Sequence, residues 1–154
     1  MLVIISDLHL GDGTTADSIS PSAFRLFARR LTETARFASL RRDGGYRPIE
    51  NLDVLLLGDI LDPLHSARWL DTSSSDSNYV RPWSDPANPN YAAKLLEVTR
   101  AILEHNEEAF KILRRLASGD GLQLAPATSK GEADFQSKEV LPIKVRFHYM
   151  VGNH

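Results

Sequence analysis

LVIISDLHL, residues 2–10, places a run of apolar, mostly β-branched residues directly before an aspartate and a histidine that are one residue apart. Such a run predicts a strand that is buried on both faces of a parallel sheet. A second apolar run precedes Gly-Asp-Ile-Leu-Asp at 58–62, and a third precedes Gly-Asn-His at 152–154. Because α/β sheets place their sites at the carboxyl ends of parallel strands, the polar residues of these three motifs are expected to converge.

The segments between the motifs have helical periodicity, so the sequence predicts an α/β fold. Strands are predicted at residues 2–5, 52–57 and 143–151, and helices at 21–42 and 91–117. The first strand, helix and second strand form a βαβ unit with parallel strands. Residues 63–140 exceed what a simple crossover requires and are expected to form a cap-like insertion over the site.

The composition is that of one globular domain without a membrane segment. The chain has 154 residues, of which 42% are hydrophobic and 25% are charged, and its net charge is −2. The absence of cysteine excludes disulfides, thiolate metal ligands and a cysteine nucleophile. No run approaches the roughly 20 apolar residues that a membrane span needs. We therefore expect a cytoplasmic protein with no membrane partner.

The residue types in the motifs suit a divalent metal ion. Asp7 and His9 combine a carboxylate oxygen with an imidazole nitrogen within one turn, a set that fits a borderline divalent ion. Gly58 and Gly152 stand directly before polar residues and allow close approach of the backbone. Each motif alone is more often an ordinary turn. All three together, in order and at strand ends, favour a metal site.

The order and placement of the three motifs resemble the calcineurin-like metallophosphoesterases. The resemblance implies a metallophosphoesterase core with a mainly parallel sheet flanked by helices. It implies two divalent ions, with manganese, iron or zinc as the candidates. Asp7 and His9 would bind the first ion, Asp59 would bridge both ions, and Asn153 would bind the second through its amide oxygen.

The same resemblance implies the catalytic roles. His154 would be the catalytic histidine, oriented by Asp62, and Asn153 and His154 would contact the substrate. The implied reaction is hydrolysis of a phosphate ester by hydroxide held on the two metals. Monoesters, diesters and nucleotide pyrophosphates all fit these motifs.

The chain departs from the family because its later motifs, a further histidine and a Gly-His-x-His pair, have no counterpart here. Half of the family's two-sheet sandwich is missing with them. We therefore expect 1–154 to be a partial domain that binds one metal ion or none and is weakly active or inactive. A fragment is the favoured explanation, and a split protein or a reduced fold is the alternative. The rival function is a phosphoesterase-like binding module with a degraded metal site.

The missing half also predicts how the chain associates. Apolar positions of the third strand, Val145, Phe147 and Val151, would face water, so the chain is expected to self-associate or to bind the missing half.

Four further features are secondary candidates. His65 could face the metals or the substrate, and the favoured interpretation is a loop histidine beside the site without a role. His105 is interpreted as part of a solvated helix face and His148 as structural. The seven arginines between Arg25 and Arg47 could follow a nucleic-acid backbone. A solvated helix face is the favoured interpretation of them, and nucleic acid is the alternative partner.

Overall fold

The computed structural model describes residues 1–16, 18–119 and 121–152, and this part of the chain has an α/β fold. Its elements are β1 (Leu2–Ser6), α1 (Pro21–Ala38), β2 (Asn51–Gly58), a 3₁₀ helix (Ala67–Leu70), α2 (Tyr91–His105), α3 (Glu107–Ala117), β3 (Gln123–Leu124), β4 (Leu141–Pro142) and β5 (Lys144–Val151). The strands β1, β2 and β5 form a parallel sheet in that order, and β3 pairs antiparallel with β4. The predicted α/β class is confirmed.

The chain divides into two compact units. The first contains most of the sheet with α1 and α3, and the second contains the loops that follow β1 and β2 together with α2. The predicted insertion at 63–140 does not form one body, because the division between the units falls between Glu107 and Glu108. Its interpretation as a cap stays a prediction.

The register of the sheet follows from its backbone hydrogen bonds. Asp53 donates its N–H to the carbonyl of Met1 at 2.8 Å, and Lys144 donates to Glu50 at 2.9 Å. Leu52 therefore lies between Met1 and Val145 on one face of the sheet. This face belongs to the core of the first unit, whose buried apolar residues are Phe24, Leu31, Ala35, Tyr46, Leu52, Val54, Ala109, Leu113, Leu116, Leu122, Leu124, Ile143 and Val145.

The other face of the sheet is open. Leu2 is 61% exposed and Ile4 is 56% exposed, so the prediction that β1 is buried on both faces is wrong. The reason is that β1 is an edge strand, and only its alternate residues turn toward the core. The predicted exposure of β5 is wrong for Val145, which is buried, and is confirmed for Val151. Self-association stays a prediction.

One predicted helix ends earlier than expected, and the other is divided into two. The structure ends α1 at Ala38, where the buried Ser39 hydroxyl donates to the Ala35 carbonyl at 2.8 Å and accepts from the Ile49 N–H at 3.1 Å. The predicted helix at 91–117 is two helices, because the buried Asn106 leaves the helical conformation and its amide donates to Gly11 and Ile102, each at 2.8 Å.

The proline- and serine-rich segment between β2 and α2 is anchored by two buried side chains. The Trp69 indole donates to the Pro63 carbonyl at 2.7 Å. The Arg81 guanidinium donates to the carbonyls of Trp69, Val80 and Thr72. Because buried polar groups require partners, these hydrogen bonds fix the conformation of this segment.

No helix in the described ranges is long and apolar enough to cross a membrane.

Candidate metal centre

Backbone hydrogen bonds tie together the loops that follow β1 and β2. His9 donates its N–H to the Asp59 carbonyl at 2.9 Å, and Leu10 donates to Ile60 at 2.9 Å. Asp62 in turn donates to the carbonyl of Leu10 at 3.0 Å, and Leu10 is completely buried. The parallel pairing therefore continues past the strands as an isolated bridge. This pairing brings the first and second motifs side by side.

Three of the predicted metal ligands meet at this point. Asp7, His9 and Asp59 each offer one ligand atom, and these atoms all lie within 4.8 Å of one another. Asp59 is only 8% exposed, whereas the other two residues face solvent. Two carboxylates and an imidazole form a donor set that fits a divalent transition metal ion. The fourth predicted ligand, Asn153, lies outside the described residues.

The backbone at two of the ligands adopts a conformation that side chains seldom allow. Asp7 has a φ of 54° and His9 a φ of 45°, which places both in the left-handed region. Each such residue costs on the order of 1–3 kcal/mol and persists only where its surroundings fix it. Strain of this kind gathers at functional sites, so it supports a functional role for the first motif.

Glycines surround the ligands where space or conformation demands them. Gly58 has a φ of 81°, and a Cβ there would lie 3.6 Å from the Asp7 carboxylate. A Cβ at Gly152 would overlap the Asp59 carboxylate and would come within 2.9 Å of the Asp59 backbone nitrogen. The predicted close approach of the backbone at Gly152 is therefore confirmed, and Gly152 lies against Asp59.

Asp62 holds two histidines beside the cluster. The His9 Nδ1 lies 3.3 Å from Asp62 Oδ2, and the His65 Nδ1 lies 2.7 Å from the same oxygen. Burial raises the pKa of Asp62, but the hydrogen bonds from His65 and His9 outweigh it and hold this pKa below its usual range. Because the ionised carboxylate can only accept, each Nδ1 acts as the donor. The Nε2 of His9 is then left as its ligand atom.

The predicted orientation of His154 by Asp62 stays a prediction, because His154 lies outside the described residues. Among the described residues, the Asp62 carboxylate accepts from His9 and His65. The interpretation of His65 as a loop histidine without a role missed this contact. The signal was present, because His65 follows Asp62 by three residues.

Asp12 is a second buried carboxylate that the sequence analysis missed. It accepts from the Thr14 hydroxyl and the Ser66 hydroxyl, each at 2.6 Å, and from Arg68 Nε at 3.1 Å. These bonds fasten the loop after the first motif to the loop after the second. The pair Asp12 and Thr14 is the local signal, because aspartates often accept from a residue two positions later in turns.

The other two histidines contribute no ligand atom to this cluster. His148 Nε2 donates to the Asp53 carboxylate at 3.0 Å, beside Arg146, on the open face of the sheet. The exposed His105 lies with its ring against Gly13.

The hydrogen bonds and the ion pair of Asp12 predict how the stability of the fold depends on pH. Burial raises the pKa of Asp12, but the hydrogen bonds from Ser66 and Thr14 and the charge of Arg68 outweigh it, so this pKa is lowered. A lowered carboxyl pKa stabilises the fold above the unfolded-state value of about 3.9, and this contribution disappears as the pH falls through the folded-state value. Asp12→Asn should lower the unfolding free energy by about 1–3 kcal/mol at pH 7 and flatten its decline in acid.

Urea denaturation in EDTA between pH 7 and pH 3 measures this effect. Asp76→Asn is the matched control, because Asp76 is exposed and accepts a backbone N–H from Asn78 that asparagine can also accept. Equal stability of the two variants at both pH values would contradict a role for the Asp12 carboxylate.

Comparison with protein-family models, with curated proteins and with solved structures found no match to this chain.

Proposed function

We propose that this protein is a metal-dependent phosphoesterase that hydrolyses a phosphate mono- or diester. The observation that carries the proposal is the convergence of Asp7, His9 and Asp59, whose ligand atoms lie within 4.8 Å of one another. The orientation of His9 by Asp62 supports it, because metal-binding histidines commonly donate their second ring nitrogen to a carboxylate.

The donor set suits manganese, iron or zinc. Two carboxylates and one imidazole leave further coordination positions for water and substrate, as catalytic sites require. A divalent ion bound there supplies Lewis-acid activation of water and of the phosphoryl group. A second ion would need Asn153 and further ligands in addition to it. Asp59 would be the ligand that both ions share.

Two further side chains have proposed roles, one in orienting a metal ligand and one in proton transfer. Asp62 fixes the ring orientation of His9, and the proposed proton donor to the leaving group is His154. His65 is a second imidazole on the same carboxylate, and its side chain is largely exposed.

Metal analysis and hydrolysis of bis-p-nitrophenyl phosphate test the proposal together. We expect at most one tightly bound Mn²⁺ for each chain and slow hydrolysis that requires the ion. Asp7→Asn should abolish both Mn²⁺ binding and hydrolysis. Asp71→Asn changes an exposed aspartate and should alter neither Mn²⁺ binding nor hydrolysis. Two tightly bound ions, or hydrolysis that persists in EDTA, would contradict this assignment.

The binding-module hypothesis is the second candidate. It is favoured by one observation, that within the described residues no fourth histidine or carboxylate joins Asp7, His9 and Asp59. It predicts that Mn²⁺ binds and depends on Asp7 while no phosphate ester is hydrolysed, even with enzyme in excess of substrate. Metal-dependent turnover under those conditions excludes it.

A further inference from the structure

The segment of the first unit that contains α1 and the turn after it concentrates positive charge. Residues 21–47 carry seven arginines against two acidic residues, Glu33 and Asp43, although the whole chain has a net charge of −2. All seven arginines are exposed, namely Arg25, Arg29, Arg30, Arg36, Arg41, Arg42 and Arg47. In the described part of the chain, only Arg30 among them pairs with a carboxylate, that of Glu33 at 2.7 Å. The other guanidinium groups carry charge that this unit does not neutralise through ion pairs.

Two exposed aromatic rings lie beside one of these arginines, Arg36. Phe37 is 71% exposed and Phe135 is 65% exposed, and both line a pocket of about 420 Å³ together with Arg36 and Leu40. The Arg36 guanidinium stands 5.2 Å from the centre of the Phe135 ring. Large apolar groups are seldom left in water together without a binding role. The acidic Glu132 lines the same pocket, so the surface is not uniformly positive.

The walls of this pocket are fixed by buried contacts. Tyr46 is buried, donates its N–H to the Gly131 carbonyl at 2.6 Å and donates its hydroxyl to the Ala125 carbonyl at 3.1 Å. Leu40 and Tyr46 form an isolated antiparallel bridge. The turn after α1 is thereby attached to the loop that carries Phe135. The two rings therefore stand on preformed backbone, which lowers the cost of binding.

We propose that this surface binds single-stranded nucleic acid, with arginines contacting the phosphates and Phe37 and Phe135 stacking on bases. Arginines along a backbone combined with exposed aromatic rings are the two elements that single-strand binding requires. A duplex hides the faces of its bases, and an acidic peptide offers nothing that stacks on the rings. Because every base has a face that can stack, binding is expected to show little sequence preference.

This inference goes beyond the proposed hydrolysis. The surface belongs to the first unit, whereas Asp7, His9 and Asp59 belong to the second, and binding requires no metal ion. Binding in EDTA therefore tests the surface alone. If the oligonucleotide did not bind, the proposal of a metal centre would be unaffected. If the cluster did not bind a metal ion, the proposal of nucleic-acid binding would be unaffected.

The experiment is fluorescence anisotropy of a labelled 20-nucleotide oligo(dT) in EDTA over a series of salt concentrations. The logarithm of the affinity should fall linearly with the logarithm of the salt concentration. Phe37→Ala and Phe135→Ala should each weaken binding about ten-fold or more while leaving this slope unchanged. Arg41→Gln and Arg42→Gln should each make this slope less steep by about 0.7, because each substitution removes one phosphate contact.

Trp83→Ala is the matched control, because Trp83 is 79% exposed and belongs to the second unit. It should bind as the unaltered chain does. The thermal unfolding temperature of the phenylalanine variants checks that the fold is intact. We expect it to be unchanged, because both phenylalanine side chains are exposed. The proposal is overturned if oligo(dT) fails to bind at low salt or if both phenylalanine variants bind normally. Equal affinity for a duplex, or equally effective competition by polyglutamate, overturns it as well.

Discussion

Replacing Asp59 by asparagine should lower the affinity for Mn²⁺ by at least about 100-fold. Asp59 is the one buried member of the cluster, so its carboxylate acts where water screens charge least. Loss of a residue that only supports a metal ligand already costs about 10- to 100-fold in affinity. The amide keeps the shape of the side chain and removes its charge. Isothermal titration with Mn²⁺ measures the change.

The same substitution separates a metal site from a structural cluster. The ligand atoms of Asp7 and Asp59 lie within 4.8 Å of each other, so the two carboxylates repel when no cation is present. In EDTA, Asp59→Asn should therefore unfold at the same temperature as the unaltered chain or at a higher one. His65→Ala is the control for affinity, because His65 is hydrogen-bonded to Asp62 and is not among the described residues that offer a ligand atom to the cluster. A larger loss of Mn²⁺ affinity with His65→Ala than with Asp59→Asn would show that the ligand set is wrong.

Gly152→Ala should weaken Mn²⁺ binding at the cluster of Asp7, His9 and Asp59 by steric overlap. The added methyl would coincide with the Asp59 carboxylate and press on its backbone nitrogen at 2.9 Å. Backbone atoms cannot rotate away, so either the third motif or Asp59 must shift. A displacement of about 1 Å can cost 10²-fold in rate, and we expect a loss of Mn²⁺ affinity of similar size. Overpacking of this kind also costs about 1–3 kcal/mol of stability.

Gly11→Ala is the matched substitution, because Gly11 follows the first motif and a Cβ there meets nothing within 4 Å. It should bind Mn²⁺ as the unaltered chain does. If Gly152→Ala also bound Mn²⁺ normally, the contact between the third motif and Asp59 would have no bearing on the centre. Titration of both variants, with urea denaturation to record their stability, decides the matter.

Local pattern was enough to place the three strands of the parallel sheet, but it did not predict the short strands β3 and β4. The apolar runs before Asp7 and Asp59 each became a strand, and both residues stand directly at a strand end as predicted. Periodicity identified α1 and the region of α2 and α3, but it could not show that Asn106 interrupts the second helix. That interruption depends on a hydrogen bond to Gly11, 95 residues away in sequence. Sequence windows contain no information about such a partner.

The sequence by itself determined the α/β class and the types of residue that meet at the strand ends. Two motifs at the carboxyl ends of adjacent parallel strands leave few arrangements other than convergence of Asp7, His9 and Asp59. Only the tertiary structure decided which histidines Asp62 holds and that Phe37 and Phe135 share one exposed pocket. These outcomes depend on packing between distant segments, where burial and hydrogen bonding select one partner among several that the sequence allows.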